Sequence, residues 1–371
     1  MKNKLLSYFK GTVKQDPIAL FKDAIRLAAV ITACALILAD SMGSIFKAAD
    51  NTNATQSSPT YDEIISGSDE LLNNFAEIVY DRDHPLGIGI YDKLFVTDNQ
   101  PIPNGELRIV STDLSKNPTP EGVLIKNNTS YSLKASDYLT MKDKELDESK
   151  KYDPDEPIVL IYHTHGTEGY ADEGRISYPS SSLPRSRDIT NNVVAVGRAL
   201  CDLLNENGIP AVHCEIMHDD GTYNTAYNLS ANTVKEYLKK YPSIKYCFDI
   251  HRDALTSDTT VYKTVTYDES TPLAQLMFVV GTNEAGANHN TWDRCMSFAV
   301  NAQYYLCSEL NNLMRPISIK QSSYNQQYPY VGALIEVGTC ANTLKEALSS
   351  VKILGKVLSS MILSELELYN G

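Results

Sequence analysis

The hydrophobic pattern predicts a C-terminal region in which buried strands alternate with amphipathic helices. Ile158–Ile161 is a continuous run of branched apolar residues, which is typical of a strand buried on both faces of a parallel sheet. Further apolar strands are indicated at residues 209–216, 245–250 and 333–335, with helical stripes between them. This alternation predicts an α/β fold with a mostly parallel, doubly wound sheet within residues 151–371.

Local signals predict three smaller features. Residues 261–267 and 275–280 have the pattern of an antiparallel pair of strands. Val123–Leu133 indicates a hairpin that turns at two adjacent asparagines. Asp188 has the position of an N-cap for the helix whose apolar stripe runs through residues 193–204.

An apolar run near the N-terminus predicts a membrane segment. Leu27–Ala39 alone is short and suits the core of a signal peptide, whereas Leu27–Phe46 supplies the ~20 residues that a bilayer requires. Six Lys and Arg residues precede the run, which places the N-terminus in the cytoplasm. Because no clear small-residue cleavage site follows, an uncleaved signal anchor is favoured over a cleaved signal. In either case most of the chain lies outside the cytoplasm.

Together these patterns divide the chain into five segments. We predict a basic cytoplasmic tail (1–26), a signal anchor (27–46), a polar linker (47–60), a small membrane-proximal module without obvious chemistry (61–150), and the main domain (151–371).

Composition narrows the functional classes. The formal net charge is −13, which argues against a nucleic-acid partner because nucleic-acid binding requires a basic surface. The seven cysteines include no C-x-x-C pair, so neither a disulfide framework nor a zinc-finger spacing is indicated.

Ionisable residues follow three of the predicted strands near their carboxyl ends. His163 and His165 follow the first strand, His251 ends another, and Glu336 ends the last. In an open α/β sheet these ends share one edge, where ligands bind. Two imidazoles and a carboxylate with an open fourth position are the donor set of a catalytic zinc site. A further carboxylate beside the metal can accept a proton from bound water. The alternative is that each is an isolated polar residue at a strand end.

Five motifs in a fixed order also carry a family resemblance, which spans roughly residues 118–366. They are His163-Thr-His-Gly-Thr-Glu-Gly-Tyr170, Asp249-Ile-His-Arg-Asp-Ala254, Gly281-Thr-Asn-Glu-Ala-Gly-Ala-Asn-His289 with Trp292, Tyr324-Asn-Gln326, and Leu334-Ile-Glu-Val-Gly-Thr339 followed by Asn342. This series resembles the stage II sporulation protein P family, which is similar to the zinc-dependent N-acetylmuramoyl-L-alanine amidases.

The resemblance implies a zinc amidase fold and a set of residue roles. His165 and His251 fall on metal ligands and Glu336 on the catalytic carboxylate. The amidases have a Glu ligand at a helix start where this chain has none, so Asp188 is the candidate third ligand and Glu168 the alternative. His163 is assigned to the site, without a choice between ligand and partner of a ligand.

Two further groups of residues are candidates for contacts with the substrate. Arg252 is expected to hold the oxyanion or a stem-peptide carboxylate, with a salt bridge to Asp249 or Asp253 as the alternative. Glu168 and Asn325 are candidate substrate-binding residues.

The resemblance implies zinc-dependent cleavage of peptidoglycan during engulfment, at the amide between N-acetylmuramate and L-alanine. A cross-bridge endopeptidase activity is also implied. The expected partners are peptidoglycan and the sporulation proteins D and M at the septal membrane of the forespore, with the catalytic domain outside the cytoplasm. The rival hypotheses are a hydrolase that cuts only peptide cross-bridges and a non-catalytic scaffold that binds the wall.

Overall fold

The structure is a computed structural model that describes residues 100–116, 118–119, 121–141 and 155–365. The predicted tail, anchor and linker lie outside the described residues, as do residues 61–99 of the predicted module.

Eleven strands and four α-helices are present in this part of the chain. The strands are β1 (Glu106–Thr112), β2 (Ile125–Asn127), β3 (Val159–Tyr162), β4 (Ser177–Pro179), β5 (Ala211–His213), β6 (Tyr246–Asp253), β7 (Thr260–Asp268), β8 (Thr271–Ala274), β9 (Leu276–Gly281), β10 (Ile317–Lys320) and β11 (Val331–Thr339). The helices are α1 (Val193–Glu206), α2 (Ala226–Lys240), α3 (Trp292–Glu309) and α4 (Leu344–Glu365).

The central sheet has seven strands in the order β2–β10–β9–β11–β6–β3–β5. All neighbours are parallel except β9 and β11, which are antiparallel. Helices cover both faces. Val159 and Ile161 of β3 pack in the cluster that contains α1, α3 and α4, whereas Leu160 and Tyr162 pack in the cluster that contains α2. The prediction of a mostly parallel, doubly wound sheet is therefore confirmed, and burial on both faces explains the unbroken apolar run.

A second sheet of four strands has the order β4–β1–β7–β8. The predicted antiparallel pair is only partly correct, because β7 pairs with β8 and β9 belongs to the central sheet. The chain reverses between β7 and β8 at Glu269, which has a left-handed φ of 52°. This tight turn comes before residue 275, where the sequence pattern placed the partner strand.

The predicted boundary between residues 61–150 and residues 151–371 does not match the strand pairing. β1 pairs in parallel with β7, and β2 pairs in parallel with β10. Because both strands complete sheets of the main domain, the described residues 106–141 belong to that domain. The hairpin predicted at Val123–Leu133 is wrong, since β2 extends the central sheet and the second half of the segment forms no strand.

Helix α1 begins at Val193 and is capped by Asn192, whose side chain accepts a hydrogen bond from the backbone nitrogen of Val194 at 2.9 Å. The prediction that Asp188 caps this helix is therefore wrong. Asp188 lies earlier, in an exposed turn, where its carboxylate accepts hydrogen bonds from the backbone nitrogen and hydroxyl of Thr190.

Helix α4 is the one helix among the described residues that is long and apolar enough to cross a membrane, judged by length and composition alone. Its apolar window is 67% buried in the domain, and side chains such as Val351, Leu358 and Ile362 belong to the main hydrophobic cluster. These contacts are those of a core helix.

Candidate active site

The candidate site lies at the carboxyl-end edge of β3, β6 and β11. His165 follows β3, and His251 and Glu336 lie directly opposite each other on the parallel strands β6 and β11. The rings of His165 and His251 have centroids 5.4 Å apart and are nearly perpendicular, at 85°. Segments that are distant in the sequence are thus brought together by strand pairing.

Each of the two histidines has an aspartate beside one ring nitrogen. Nδ1 of His165 lies 3.8 Å from Oδ2 of Asp219, and Nε2 of His251 lies 3.0 Å from Oδ1 of Asp249. Asp219 is held by Arg185, whose Nη1 donates to Oδ2 at 2.6 Å. Carboxylates in this position fix the orientation of imidazoles that bind metal ions.

The carboxylate of Glu168 lies beside the other ring nitrogen of His251, Nδ1. Oε2 of Glu168 lies 3.3 Å from Nδ1 of His251 and accepts a hydrogen bond from the backbone nitrogen of Arg252 at 3.1 Å. Burial alone would raise the pKa of Glu168, but His251 and then Arg252 outweigh it and hold the pKa at about 2. In His251 burial would lower the pKa, whereas Asp249 and Glu168 raise it well above 6.5.

Glu336 has the opposite electrostatic environment. Burial, and after it the neighbouring carboxylate of Asp253, raise the pKa of Glu336 to about 8, against the opposing effect of His251. Oε2 of Glu336 is buried and has no hydrogen-bond partner among the described residues. A carboxyl group with a pKa near neutrality suits proton transfer.

One buried oxygen of this cluster has no hydrogen bond. Oε2 of Glu336 makes none in the described part of the chain, whereas the ring nitrogens Nδ1 of His165 and Nε2 of His251 face Asp219 and Asp249. Since buried polar atoms are normally hydrogen-bonded, the Glu336 oxygen needs an explanation. Imidazoles with carboxylates form the donor set that zinc prefers, so the residues fit this metal chemically. No three His, Cys, Asp or Glu side chains of the described residues are already placed to hold one ion together.

His163 lies apart from His165, on the α1 side of the sheet. Its ring is fully buried, with Nδ1 3.1 Å from the carbonyl oxygen of Ile250 and Nε2 2.8 Å from Nε2 of His213. Burial and the neighbouring His213 lower the pKa of His163 to about 3. The structure therefore does not bring the two histidines of the tripeptide into one cluster.

Asp188 and Arg252 are also placed differently from the prediction. Asp188 is exposed and bonded to Thr190, so it does not join the cluster, whereas Glu168, the alternative candidate for the third ligand, lies beside His251. Arg252 is only 3% exposed, and its guanidinium donates to the backbone carbonyl oxygens of Gly169 and Pro184. Its placement does not support substrate contact, because these bonds hold the loop that carries Glu168.

Sequence reasoning missed the aromatic side of the site. The ring of Tyr223 stacks on His165 at 4.3 Å, and the ring of Tyr227 meets His165 edge-on at 5.5 Å. Both tyrosines lie around the start of α2, whose predicted helical pattern gave no functional signal. The position of Asp249 beside His251 could have been predicted. The side chains of a strand alternate, so these two residues, which are two positions apart, point to the same face of the sheet.

Sequence similarity to one protein family extends over most of the chain. Residues 105–359 match the family model described as Stage II sporulation protein P (SpoIIP). The chain is 26% identical over 269 residues to "Stage II sporulation protein P" of Bacillus subtilis (strain 168), in an alignment covering 67% of this chain and 62% of that protein.

Two solved structures show a distant similarity. The N-acetylmuramyl-L-alanine amidase Ami1 from Mycobacterium abscessus is 11% identical, covers 57% of this chain and 98% of its own, and has a TM-score of 0.34. The N-acetylmuramoyl-L-alanine amidase from Clostridium difficile 630 is 15% identical, covers 58% of this chain and 99% of its own, and has a TM-score of 0.33. At these scores we draw no conclusion from the similarity.

Proposed function

Because the chain belongs to the stage II sporulation protein P family, we propose that it is a peptidoglycan hydrolase of sporulation that cleaves the N-acetylmuramoyl-L-alanine amide bond. The observation that carries this proposal is the cluster of His165, His251, Glu168 and Glu336, in which the two imidazoles lie beside buried carboxylates and Oε2 of Glu336 has no hydrogen-bond partner among the described residues. Such a cluster at the carboxyl-end edge of an α/β sheet is a site for a hydrolytic metal and its substrate.

His165, His251 and Glu168 are the residues that would hold zinc. When bound, zinc lowers the pKa of a coordinated water molecule to about 7 and polarises the carbonyl of the substrate. Asp219 and Asp249 orient the two imidazoles, each from within 4 Å of a ring nitrogen, at 3.8 and 3.0 Å.

Glu336 is the group that would move the proton. Oε2 is buried and unpartnered in the described part of the chain, and the strand register places Glu336 opposite His251. In the proposed reaction Oε2 accepts a proton as the water oxygen attacks the amide carbon. It then returns the proton to the nitrogen of L-alanine as the carbon–nitrogen bond breaks.

The test is digestion of purified sacculi by the zinc-loaded protein, with the products identified by mass spectrometry. We expect free stem peptides from the wild type and none from Glu336→Gln, which retains zinc. Glu236→Gln is the matched control, because Glu236 is exposed on α2.

Three results would contradict the proposal. Normal digestion by Glu336→Gln would exclude proton transfer by Glu336. Products with cut cross-links and intact stem-peptide amides would identify an endopeptidase instead. Wall binding without cleavage by a wild type that takes up no zinc from zinc-containing buffer would identify a scaffold.

We extend the proposal to location and partners. Residues 27–46 lie outside the described residues and would anchor the protein, with the domain on the outer side of the membrane. Proposed partners are the sporulation proteins D and M. Retention of the full chain in membranes after alkaline extraction, and its loss when residues 1–46 are deleted, is the expected result. If neither protein D nor protein M co-purifies with the detergent-solubilised chain, the proposal that they are its partners is wrong.

A further inference from the structure

The loop between β10 and β11 contains a strained pair of residues beside the site. Tyr324 and Asn325 have left-handed φ angles of 53° and 61°. Bulky non-glycine residues rarely adopt this region, and such strain persists only where surrounding contacts maintain it, often at functional sites. The contacts of the three-residue segment Tyr324–Gln326 show what each side chain does.

Gln326 anchors the loop to the sheet. Its Oε1 accepts a hydrogen bond from the backbone nitrogen of Gly281 at 2.9 Å, and its Nε2 donates to the carbonyl oxygen of Val279 at 2.8 Å. Gly332 on β11 allows this close approach, because a Cβ atom there would lie 2.6 Å from the Cα of Gln326. The loop is therefore fixed on β9 and β11.

Asn325 anchors the loop to helix α2 and, through it, to a candidate metal ligand. Its Nδ2 donates to Oγ of Ser230 at 2.9 Å, and Ser230 lies 2.8 Å from Oγ1 of Thr164. Thr164 donates to Oδ2 of Asp249 at 2.6 Å, and Oδ1 of Asp249 lies 3.0 Å from Nε2 of His251. Asn325 is thus a buried structural residue, in contrast to the substrate-binding role predicted for it.

Tyr324 is the residue of this segment whose ring contacts the aromatic side of the site. Its ring meets that of Tyr227 edge-on at 5.6 Å, and Tyr227 meets His165 edge-on at 5.5 Å. The side chain is half-buried. Burial, and then the nearby Glu336 carboxyl group, raise the pKa of Tyr324, so its hydroxyl remains a donor.

We propose that Tyr324 is a catalytic hydrogen-bond donor, whose hydroxyl binds the carbonyl oxygen of the scissile amide while that oxygen gains negative charge. This inference rests on the proposed function, since it concerns the same reaction at the same site. The phenol keeps its proton throughout, so the donor lowers the barrier without forming or breaking a covalent bond. The fixed loop is what such a donor requires, because a preorganised dipole needs no rearrangement during the reaction.

The test compares Tyr324→Phe, Tyr324→Ala and the control Tyr328→Phe in the zinc-loaded protein, with a soluble muropeptide as substrate. Tyr328 lies in the same loop, with its ring under the ammonium group of Lys235. Loss of one oxyanion donor typically lowers kcat by about 100-fold or more. We expect this loss in both Tyr324 variants, with unchanged KM and zinc content, and normal activity in the control.

The two substitutions separate the hydroxyl from the ring. If Tyr324→Phe is fully active and Tyr324→Ala is not, the ring serves only for packing and the inference fails while the proposed function stands. If the loss in Tyr324→Phe is confined to KM, the hydroxyl acts in ground-state binding and the catalytic assignment is wrong. If the wild type releases no stem peptide under conditions in which it retains zinc, the proposed function and this inference fail together.

Discussion

Glu336 on β11 and His251 on β6 lie directly opposite each other in register, and the pairing becomes irregular immediately after them. Gly338, with a left-handed φ of 73°, lies within this irregular stretch. Equivalent positions on adjacent parallel strands point to the same side of a sheet, so the register itself brings the carboxyl group to the imidazole. A shift of one residue would turn Glu336 to the opposite face.

The choice between Glu168 and Asp188 leads to a direct test of the metal site. Glu168→Gln removes the carboxylate beside His251, whereas Asp188→Asn changes an exposed turn. Loss of an outer-shell partner already costs about 10–100-fold in metal affinity, so we expect a loss of more than about 100-fold for Glu168→Gln. Zinc affinity of Asp188→Asn should be unchanged. Competition with a chromophoric chelator measures both, and the reverse order would restore Asp188 as the ligand.

Asp249 should affect zinc without contacting it. Oδ1 lies 3.0 Å from Nε2 of His251 and accepts a hydrogen bond from the backbone nitrogen of Thr164 at 2.8 Å. Asp249→Asn keeps the shape of the side chain but removes the charge that orients the imidazole, so zinc affinity should fall by about 10–100-fold. The exposed Asp202 on α1 provides the control Asp202→Asn. Equal zinc affinity of the two variants, measured by the same competition, would show that Asp249 has no such role.

The elements that the sequence predicted well are those governed by short-range pattern. The buried strands β3 and β6 follow from runs of apolar residues, and the order of His165, His251 and Glu336 along three strands led to the cluster. The helix cap was misplaced because both Asp188 and Asn192 are suitable N-cap residues, and only the position of the first helical turn distinguishes them.

The errors concern long-range pairing, which periodicity does not encode. β1 and β2 were assigned to a separate module because their partners, β7 and β10, lie more than a hundred residues away. His163 was assigned to the same site as His165 because both follow the first strand. That strand ends at Tyr162, so the alternation of side chains along a strand does not determine where the two histidines point.

Gly197 on α1 should be essential for the position of His163. A Cβ atom at Gly197 would lie 2.5 Å from Cε1 of His163, whose ring is fully buried and held at both nitrogens. Alanine gains about 1 kcal/mol of helix propensity over glycine. Overpacking costs about 1–3 kcal/mol, and a disturbed hydrogen bond costs about 1 kcal/mol more. We therefore expect Gly197→Ala to lower the free energy of unfolding by about 1–3 kcal/mol.

The matched control is Gly355→Ala on α4. A Cβ atom there would lie 3.0 Å from the Cβ and 3.1 Å from the Cδ1 of Leu203, which is less crowded than the 2.5 Å contact at Gly197 and needs a shift of only a few tenths of an ångström. The gain in helix propensity should offset the crowding, so the change in stability should be small. Urea denaturation of the two variants and the wild type measures the difference. A Gly197→Ala protein as stable as the wild type would mean that His163 can shift without cost.

His289 should make the domain sensitive to acid. The side chain is buried, with neither ring nitrogen hydrogen-bonded among the described residues, and burial lowers its pKa to about 4 despite the opposing charge of Asp293. Between pH 6.5 and pH 4 the unfolded chain therefore binds a proton at His289 that the folded chain does not bind. The sign follows from linkage, so the free energy of unfolding decreases as the pH falls through this window and is unaffected by His289 above it. His289 lowers the free energy of unfolding by at most about 3 kcal/mol, since one pKa unit corresponds to about 1.4 kcal/mol.

The measurement is urea denaturation of the wild type and His289→Leu at pH 7.5 and pH 4.5. We expect the variant to lose less stability than the wild type between the two values, because leucine has no proton to bind. His163 and His213, whose pKa values are lowered to about 3 and about 4, contribute to the acid sensitivity of both proteins and cancel in the comparison. Identical losses of stability in the two proteins would show that His289 is protonated equally in the folded and unfolded states.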